Sequence, residues 1–295
     1  RGLGDVYKRQ EEMVQEEPAC FVNGRRFVLP PGKAEYTLLE WLREEGLSGT
    51  KLGCGEGGCG ACTVLVSSFD CDGNKVVHRS ANACLTPLYA VESCQVVTVE
   101  GLGTEKKMHP IQSRLANAHG SQCGFCTPGF VMSMYALYRA RIEDGLGAPT
   151  MEEIEDNLAG NLCRCTGYRP ILEAFRHFSK GNDESYYVRA SGAAENGAAE
   201  NGGGCCGGGG GGCPCKENGN GNGVASNGNG VASNGNGVQP AAAPSEPIFP
   251  FELKKRARAL RERGDTLTMP GGRATWHRPL TVQALLDLKL SLIHI

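Results

Sequence analysis

No run in this sequence approaches the roughly 20 apolar residues of a membrane span, so no segment is expected to cross a bilayer. No apolar h-region opens the chain, which leaves no sign of a secretory leader. Charge of one sign is also lacking. The formal net charge is −2 and neither half is strongly basic, so binding to nucleic acid is not supported. What the chain does have in excess is glycine and cysteine. Its 43 glycines are concentrated between Gly192 and Gly237. Its 15 cysteines come without an export signal, which favours metal ligation over a disulfide framework, because thiols in a reducing compartment stay reduced.

Both ends look foreign to a folded protein. Asp5 to Gln10 and Leu290 to Ile295 can be back-translated into nucleotide sequences that are reverse complements of each other and resemble the end sequence of transposon-based sequencing libraries. Residues 1–10 and 290–295 are therefore set aside from fold reasoning, and the protein is expected to be longer than this chain. Between the ends, four stretches differ in character. Cys20-Phe21-Val22 and Arg25-Arg26-Phe27-Val28, joined by Asn23-Gly24, read as a β-hairpin. Thr37 is placed to cap a helix with Leu38, Leu39, Trp41 and Leu42 on one face, ending near Gly46. Strands follow at Thr63–Val66, Lys75–His78 and Val96–Val99, so residues 19–100 predict a small α+β sheet domain. Residues 101–180 turn helical. Ile111, Leu115 and Ala118 recur at helical spacing, and Thr127-Pro128 reads as a cap and first helical residue. Thr150 and Glu153 form a capping box, and Pro170 opens a last helix through Phe178. Four such helices make a small bundle. Residues 181–246, with Asn-Gly repeats and little apolar mass, cannot bury a core and are expected to be a flexible linker. Structure is expected to resume at 247–289, with a strand around Ala274-Thr275-Trp276 and a helix from near Thr281.

Cys54, Cys59 and Cys62 stand in the order C-x4-C-x2-C, with Cys84 further on, the plant-type ferredoxin spacing for a [2Fe–2S] cluster. Gly55, Gly57, Gly58 and Gly60 would let one loop wrap an anionic cluster closely and point its N–H groups at sulfur. A zinc site would more usually offer two paired knuckles. Cys20, Cys71 and Cys94 lack partners at ligand spacing and read as buried or solvent thiols. Cys123 and Cys126 form C-x2-C, and Cys163 and Cys165 form C-x-C. Their two loops could meet at one end of an antiparallel bundle and bring four thiolates together, and on spacing alone zinc stays open for this set. Cys205, Cys206, Cys213 and Cys215 sit in polyglycine with nothing to position them, so they read as incidental thiols. His109 and His119, at the start and end of a helix, read as capping or surface residues rather than ligands.

Three motifs carry a family resemblance. The segments 53–62 (Gly53 to Cys62), 122–129 (Gln122 to Gly129) and 161–168 (Asn161 to Tyr168) resemble the xanthine dehydrogenase/aldehyde oxidase family of molybdenum hydroxylases. The resemblance covers roughly residues 19 to 180, and Pro247 onward resembles the start of that family's flavin domain. It implies a β-grasp ferredoxin-like domain, a helical [2Fe–2S] domain, and FAD and molybdopterin (Mo) domains on one polypeptide. Electrons would pass from molybdenum through the helical-domain cluster and the ferredoxin-like cluster to FAD. It further implies that Gln122 and Cys165 face the molybdopterin, that Cys165 also ligates iron, and that this stretch alone turns over no substrate. The whole enzyme would oxidise a purine, hypoxanthine to xanthine to urate, with NAD or dioxygen as acceptor, as a cytoplasmic homodimer. Aldehyde oxidase, a free-standing iron–sulfur subunit and a zinc-binding interaction module are the alternatives.

Overall fold

The structure is a computed structural model and describes residues 17–181, 247–264 and 266–293. The expectations for residues 1–10, for the linker from 182 to 246 and for Cys205, Cys206, Cys213 and Cys215 fall outside the described residues.

Strands β1 (Ala19–Val22) and β2 (Arg25–Val28) form the expected antiparallel hairpin. Asn23 and Gly24 turn it with φ values of 50° and 81°, the left-handed pair whose twist matches the flanking strands. Helix α1 (Leu38–Glu44) starts at a reciprocal Thr37–Glu40 capping box and buries Leu38, Leu39, Trp41 and Leu42. Each fully buried leucine here contributes about 1.5–3 kcal/mol. Strands β3 (Thr63–Asp70) and β4 (Lys75–Asn82) pair antiparallel. Strand β5 (Gln95–Val97) lies between β1 and β3, parallel to β1, giving the order β2-β1-β5-β3-β4. A helix packed on this mixed sheet is the β-grasp domain.

Three strands end elsewhere than the sequence reading placed them. β3 and β4 each run four residues further, because polar residues can continue the ladder: Ser67 pairs with His78, and the Ser67 hydroxyl meets His78 Nδ1 at 2.7 Å. β5 stops at Val97 rather than Val99, because the Asn23 side chain captures Thr98. It accepts from the Thr98 N–H and donates to the Thr98 hydroxyl, both at 2.9 Å.

Strand β3 joins the two domains. Successive side chains of a strand point to opposite faces. Val64 enters the core under α1, and Leu65 enters a second core built by the helices. A strand covered on both faces shows no polar alternation, and Thr63-Val64-Leu65-Val66 shows none. The helices are α2 (Pro110–Asn117), α3 (Thr127–Glu143), α4 (Met151–Leu158) and α5 (Arg169–Arg176). Helix α3 packs on β3 and β4 and also against α2 and α4, so it buries residues around its whole girth, from Phe130 and Val131 to Tyr135 and Tyr138. Its cap differs from the expected one. Thr127 is already helical and Cys126 takes the cap position, while the Thr127 hydroxyl meets that of Ser121 at 2.8 Å.

Residues 251–293 form α6 (Phe251–Arg263), β6 (Leu267–Pro270), β7 (Thr275–Arg278) and α7 (Val282–Ile293). The strand near Trp276 and the helix after Thr281 were legible, but α6 and β6 were not. Helix α6 is dense in lysine and arginine and shows no broad apolar face, so its placement depends on a few anchors. Leu253, with the preceding Phe249, packs on Phe69 and Val76 of the sheet. Met269 and Trp276 join the α1 core, with the Trp276 ring 6.0 Å from that of Tyr89. Between these contacts lies Glu92, whose side chain has no exposure. Its carboxylate takes the guanidinium groups of both Arg256 and Arg278 and the Ser93 hydroxyl. Residues 290–293, set aside in the sequence reading, continue α7.

Removing one partner of a buried ion pair strands the other charge, which costs about 3–5 kcal/mol. Glu92→Ala is therefore expected to lower the unfolding free energy of the chain by about that amount in a urea titration. A loss below about 1 kcal/mol, the worth of a surface pair, would show that the clamp does not hold the post-linker segment.

Candidate metal centres

The first four cysteines belong to the loop between α1 and β3 and to the turn that follows β4. The loop can curl around its own sulfur atoms because Gly55, Gly57 and Gly60 take φ of 73°, 74° and 66°, values that side-chain-bearing residues rarely adopt. Gly53 makes room differently: a Cβ there would lie 2.6 Å from Cys59 Sγ. The backbone N–H of Cys54 donates to Cys59 Sγ, and that of Glu56 to Cys54 Sγ, both at 3.3 Å. Cys84 is brought in from outside the loop. Ala83 N–H donates to the Cys62 carbonyl at 3.2 Å, and the Asn82 side chain donates to the Gly57 carbonyl at 2.9 Å, which ties turn and loop together.

The thiols of this quartet differ in acidity. The Glu56 N–H, followed by the bond with Cys59, brings exposed Cys54 down to about 7. Burial pushes Cys62 up to about 11, and its contact with the Cys84 thiol adds to the shift.

The second quartet lies at one end of the helical bundle, where the α2–α3 and α4–α5 loops meet as the sequence suggested. Cys126 caps α3 and is half-buried, Cys163 is buried, and Cys123 and Cys165 are exposed. The helix N-terminus beside Cys126 favours negative charge there. The Cys163 backbone N–H donates to the Tyr168 hydroxyl at 3.0 Å, and the Cys163 thiol meets the Thr166 hydroxyl at 3.1 Å. The Phe125 N–H and the Cys165 thiol hold Cys123 below the usual thiol range. Burial pushes Cys126 up to about 12, aided by its contact with Cys163. At Cys163 burial works upward, but the Thr166 hydroxyl and the N–H groups of Thr166 and Cys165 outweigh it, and the net shift is down. Cys165 is raised by the bond with Cys123. Gln122 is exposed beside Cys123.

Within each quartet the thiols act on one another: Cys62 feels both Cys84 and Cys59, Cys123 feels Cys165 and Cys163, and Cys126 feels Cys163 and Cys123. Among the described residues, no three or more Cys, His, Asp or Glu side chains come together as a site for a single metal ion. A [2Fe–2S] cluster is held by four thiolates, and each quartet offers four thiols close enough to act on one another. Sulfur-directed N–H groups and a glycine-lined loop complete the fit.

The remaining candidates fall as the sequence suggested. Cys20 and Cys94 are buried, with thiols raised by burial, and Cys71 is half-buried. His109 caps α2, its ring accepting from the Ile111 N–H at 3.2 Å, and His119 is exposed just beyond that helix. The sequence reading missed the residues that join the two quartets. Leu162 N–H donates to the Cys59 carbonyl at 3.0 Å, and Asn161 Nδ2 donates to the Gly60 carbonyl at 3.1 Å. Both lie in the 161–168 motif that carries the family resemblance, which gave them no role of their own.

Residues 20–89 match the "2Fe-2S iron-sulfur cluster binding domain" family and residues 98–176 match the "[2Fe-2S] binding domain" family. Xanthine dehydrogenase 1 of Arabidopsis thaliana is 48% identical over 278 residues, covering 92% of this chain and 19% of that protein. Xanthine dehydrogenase/oxidase of Mus musculus is 46% identical over 275 residues, covering 93% of this chain and 18% of that protein. The crystal structure of quinoline 2-oxidoreductase from Pseudomonas putida 86 aligns with a TM-score of 0.47 at 32% identity, covering 59% of this chain and 97% of its own. The chain spans about a fifth of the length of the curated relatives it matches. Among the described residues no helix is long and apolar enough to cross a membrane. With a β-grasp domain and a helical domain, each bearing a thiol quartet and each matching a [2Fe–2S] domain family, the chain is a homologue of the iron–sulfur portion of xanthine dehydrogenases.

Proposed function

We propose that this chain is the electron-carrying portion of a molybdenum hydroxylase that oxidises a purine, hypoxanthine to xanthine to urate, and that its two clusters link the molybdenum cofactor to FAD. Cys54, Cys59, Cys62 and Cys84 hold the first [2Fe–2S] cluster, and Cys123, Cys126, Cys163 and Cys165 hold the second. The match of each quartet's domain to a [2Fe–2S] family, with backbone N–H groups of the first loop aimed at sulfur, carries this reading. Each bound cluster would take up and release one electron at a time.

The chain's own residues supply the surroundings. N–H groups of the Cys54–Gly60 loop and the N-terminus of α3 offset negative charge at sulfur. Gln122 and Cys165 face the molybdopterin, a role that their exposure permits. Residues 19–100 and 101–180 form the two cluster domains, 181–246 the linker, and 247–289 the start of the flavin domain. NAD or dioxygen would be the final acceptor in a cytoplasmic homodimer. Xanthine dehydrogenase is preferred to aldehyde oxidase because the similarity to xanthine dehydrogenases spans nearly the whole chain.

Anaerobic reconstitution of the full chain is expected to yield about four irons and four acid-labile sulfides, two of each per cluster, with a [2Fe–2S] absorbance spectrum. Zinc without sulfide would decide against it. Cys84→Ser and Cys163→Ser are each expected to remove one cluster and leave the other, halving the iron. Xanthine turnover by this chain alone is expected to be nil. In the cluster-free chain, alkylation of Cys54 should reach half its maximal rate near pH 7, the thiolate prevailing above that pH, while Cys62 resists labelling until near pH 11. Equal labelling profiles for the two thiols would contradict the loop geometry.

A further inference from the structure

Where the two cluster loops come together, the contact is backbone against backbone. Gly129 is buried in the first turn of α3, three residues after Cys126. A Cβ built on it would run into the Gly60 carbonyl oxygen, and would lie 3.1 Å from the Gly60 carbonyl carbon and 3.2 Å from Ala61 Cα. On the facing side, a Cβ on Gly60 would lie 2.5 Å from Asn161 Nδ2, 2.7 Å from the Gly160 oxygen and 2.9 Å from Asn161 Cα. Gly60 is thus held between a residue of α3 and the segment leading to Cys163.

A glycine within a helix is about 0.5–1 kcal/mol less favourable than alanine, so α3 gains nothing of its own from Gly129. What it allows is the close approach. Asn161, buried with 4% exposure, fastens the seam from the other side. Its Nδ2 donates to the Gly60 carbonyl at 3.1 Å, and its Oδ1 accepts from the Ser133 hydroxyl of α3 at 2.7 Å. A cavity of about 140 Å³ bordered by Gly60, Ser133, Asn157 and Asn161 lies alongside. Side-chain packing therefore does not wedge the loops at that edge, and the Asn161 bonds hold them.

We infer that Gly129 and Asn161 are positioning residues that set the separation of the two clusters, Gly129 by leaving room for Gly60 and Asn161 by tying Gly60 in place. This rests on the assignment of the two quartets as [2Fe–2S] ligands. Both residues act through the loop between Cys59 and Cys62, and neither supplies a ligand. Coupling between two paramagnetic centres falls steeply with distance. A seam pushed or slackened open weakens that coupling while leaving each cluster among its own ligands.

The test uses the full chain with both clusters assembled and fully reduced, observed by low-temperature electron paramagnetic resonance. The mutual splitting of the two signals reports separation, whereas the g values report each cluster's own surroundings. Gly129→Ala and Asn161→Ala are each expected to keep the parent's iron content and g values and to lose part of the mutual splitting. Undiminished splitting in both variants at full iron content would overturn the inference. So would a loss of splitting that comes only with altered g values, since that marks damage within a cluster site. If Gly129→Ala assembles no clusters, Asn161→Ala, which adds no atoms, decides: reduced splitting supports the inference and undiminished splitting overturns it. A parent chain that takes up no iron and sulfide would instead overturn the assignment of the quartets, so the two failures are told apart.

Discussion

Sulfur ligands crowded around a small cluster accumulate negative charge, and that charge must be met by groups that are partly positive and take up little room. Side chains of lysine or arginine are long and strongly hydrated. The backbone N–H is compact and always present, but it can turn toward sulfur only where the chain is free to bend sharply. At the first quartet this freedom comes from glycines at φ of 73°, 74° and 66°, and N–H groups reach sulfur at 3.3 Å. At the second the N–H groups of Phe125 act on Cys123 and those of Thr166 and Cys165 on Cys163, and a helix begins at the ligand Cys126. The rest of the fold carries these two stretches of backbone and holds them still.

Holding them still is a task shared between the domains. Strand β3 leaves the first loop directly and buries one face under α1 and the other under the helical bundle. The turn bearing Cys84 is bonded to the same loop through Asn82, and α1 is bonded to that turn through Leu39 N–H and the Ala83 carbonyl. Neither domain can shift on β3 without disturbing one of its cores. Hydrophobic burial on both sides of one strand thus keeps the two domains, and with them the two thiol quartets, from sliding past each other.

Much of this was legible in the residues, for identifiable reasons. The hairpin at Asn23-Gly24, the helix cap at Thr37, the capping box at Thr150 and the ligand spacings all rest on local chemistry, which needs no knowledge of the fold. Helix α6 was missed because its sequence is dominated by lysine and arginine and its stabilising contacts, from Leu253 to Phe69 and Val76, lie far away along the chain. Glu92 was missed for the same reason: a lone acidic residue before Ser93 gives no hint that it is buried under two arginines. The seam at Gly60, Gly129 and Asn161 joins three separated stretches. Gly60 had a sufficient local explanation as a loop glycine and Gly129 had none, and only their juxtaposition reveals the close backbone contact.

The Glu92 clamp has a consequence for how this polypeptide can vary over generations. The segment from Pro247 onward is placed by a buried carboxylate and a handful of aromatic and aliphatic anchors on the sheet, not by the sequence that leads up to it. Joining two surfaces that already fit needs only enough chain to span them, and extra length dilutes their local concentration slowly. Slippage during replication of the Asn-Gly repeats, adding or dropping a few units, would therefore leave the assembled geometry as it was. The clamp and its anchors would stay as they are so long as the remaining chain still spanned the two surfaces.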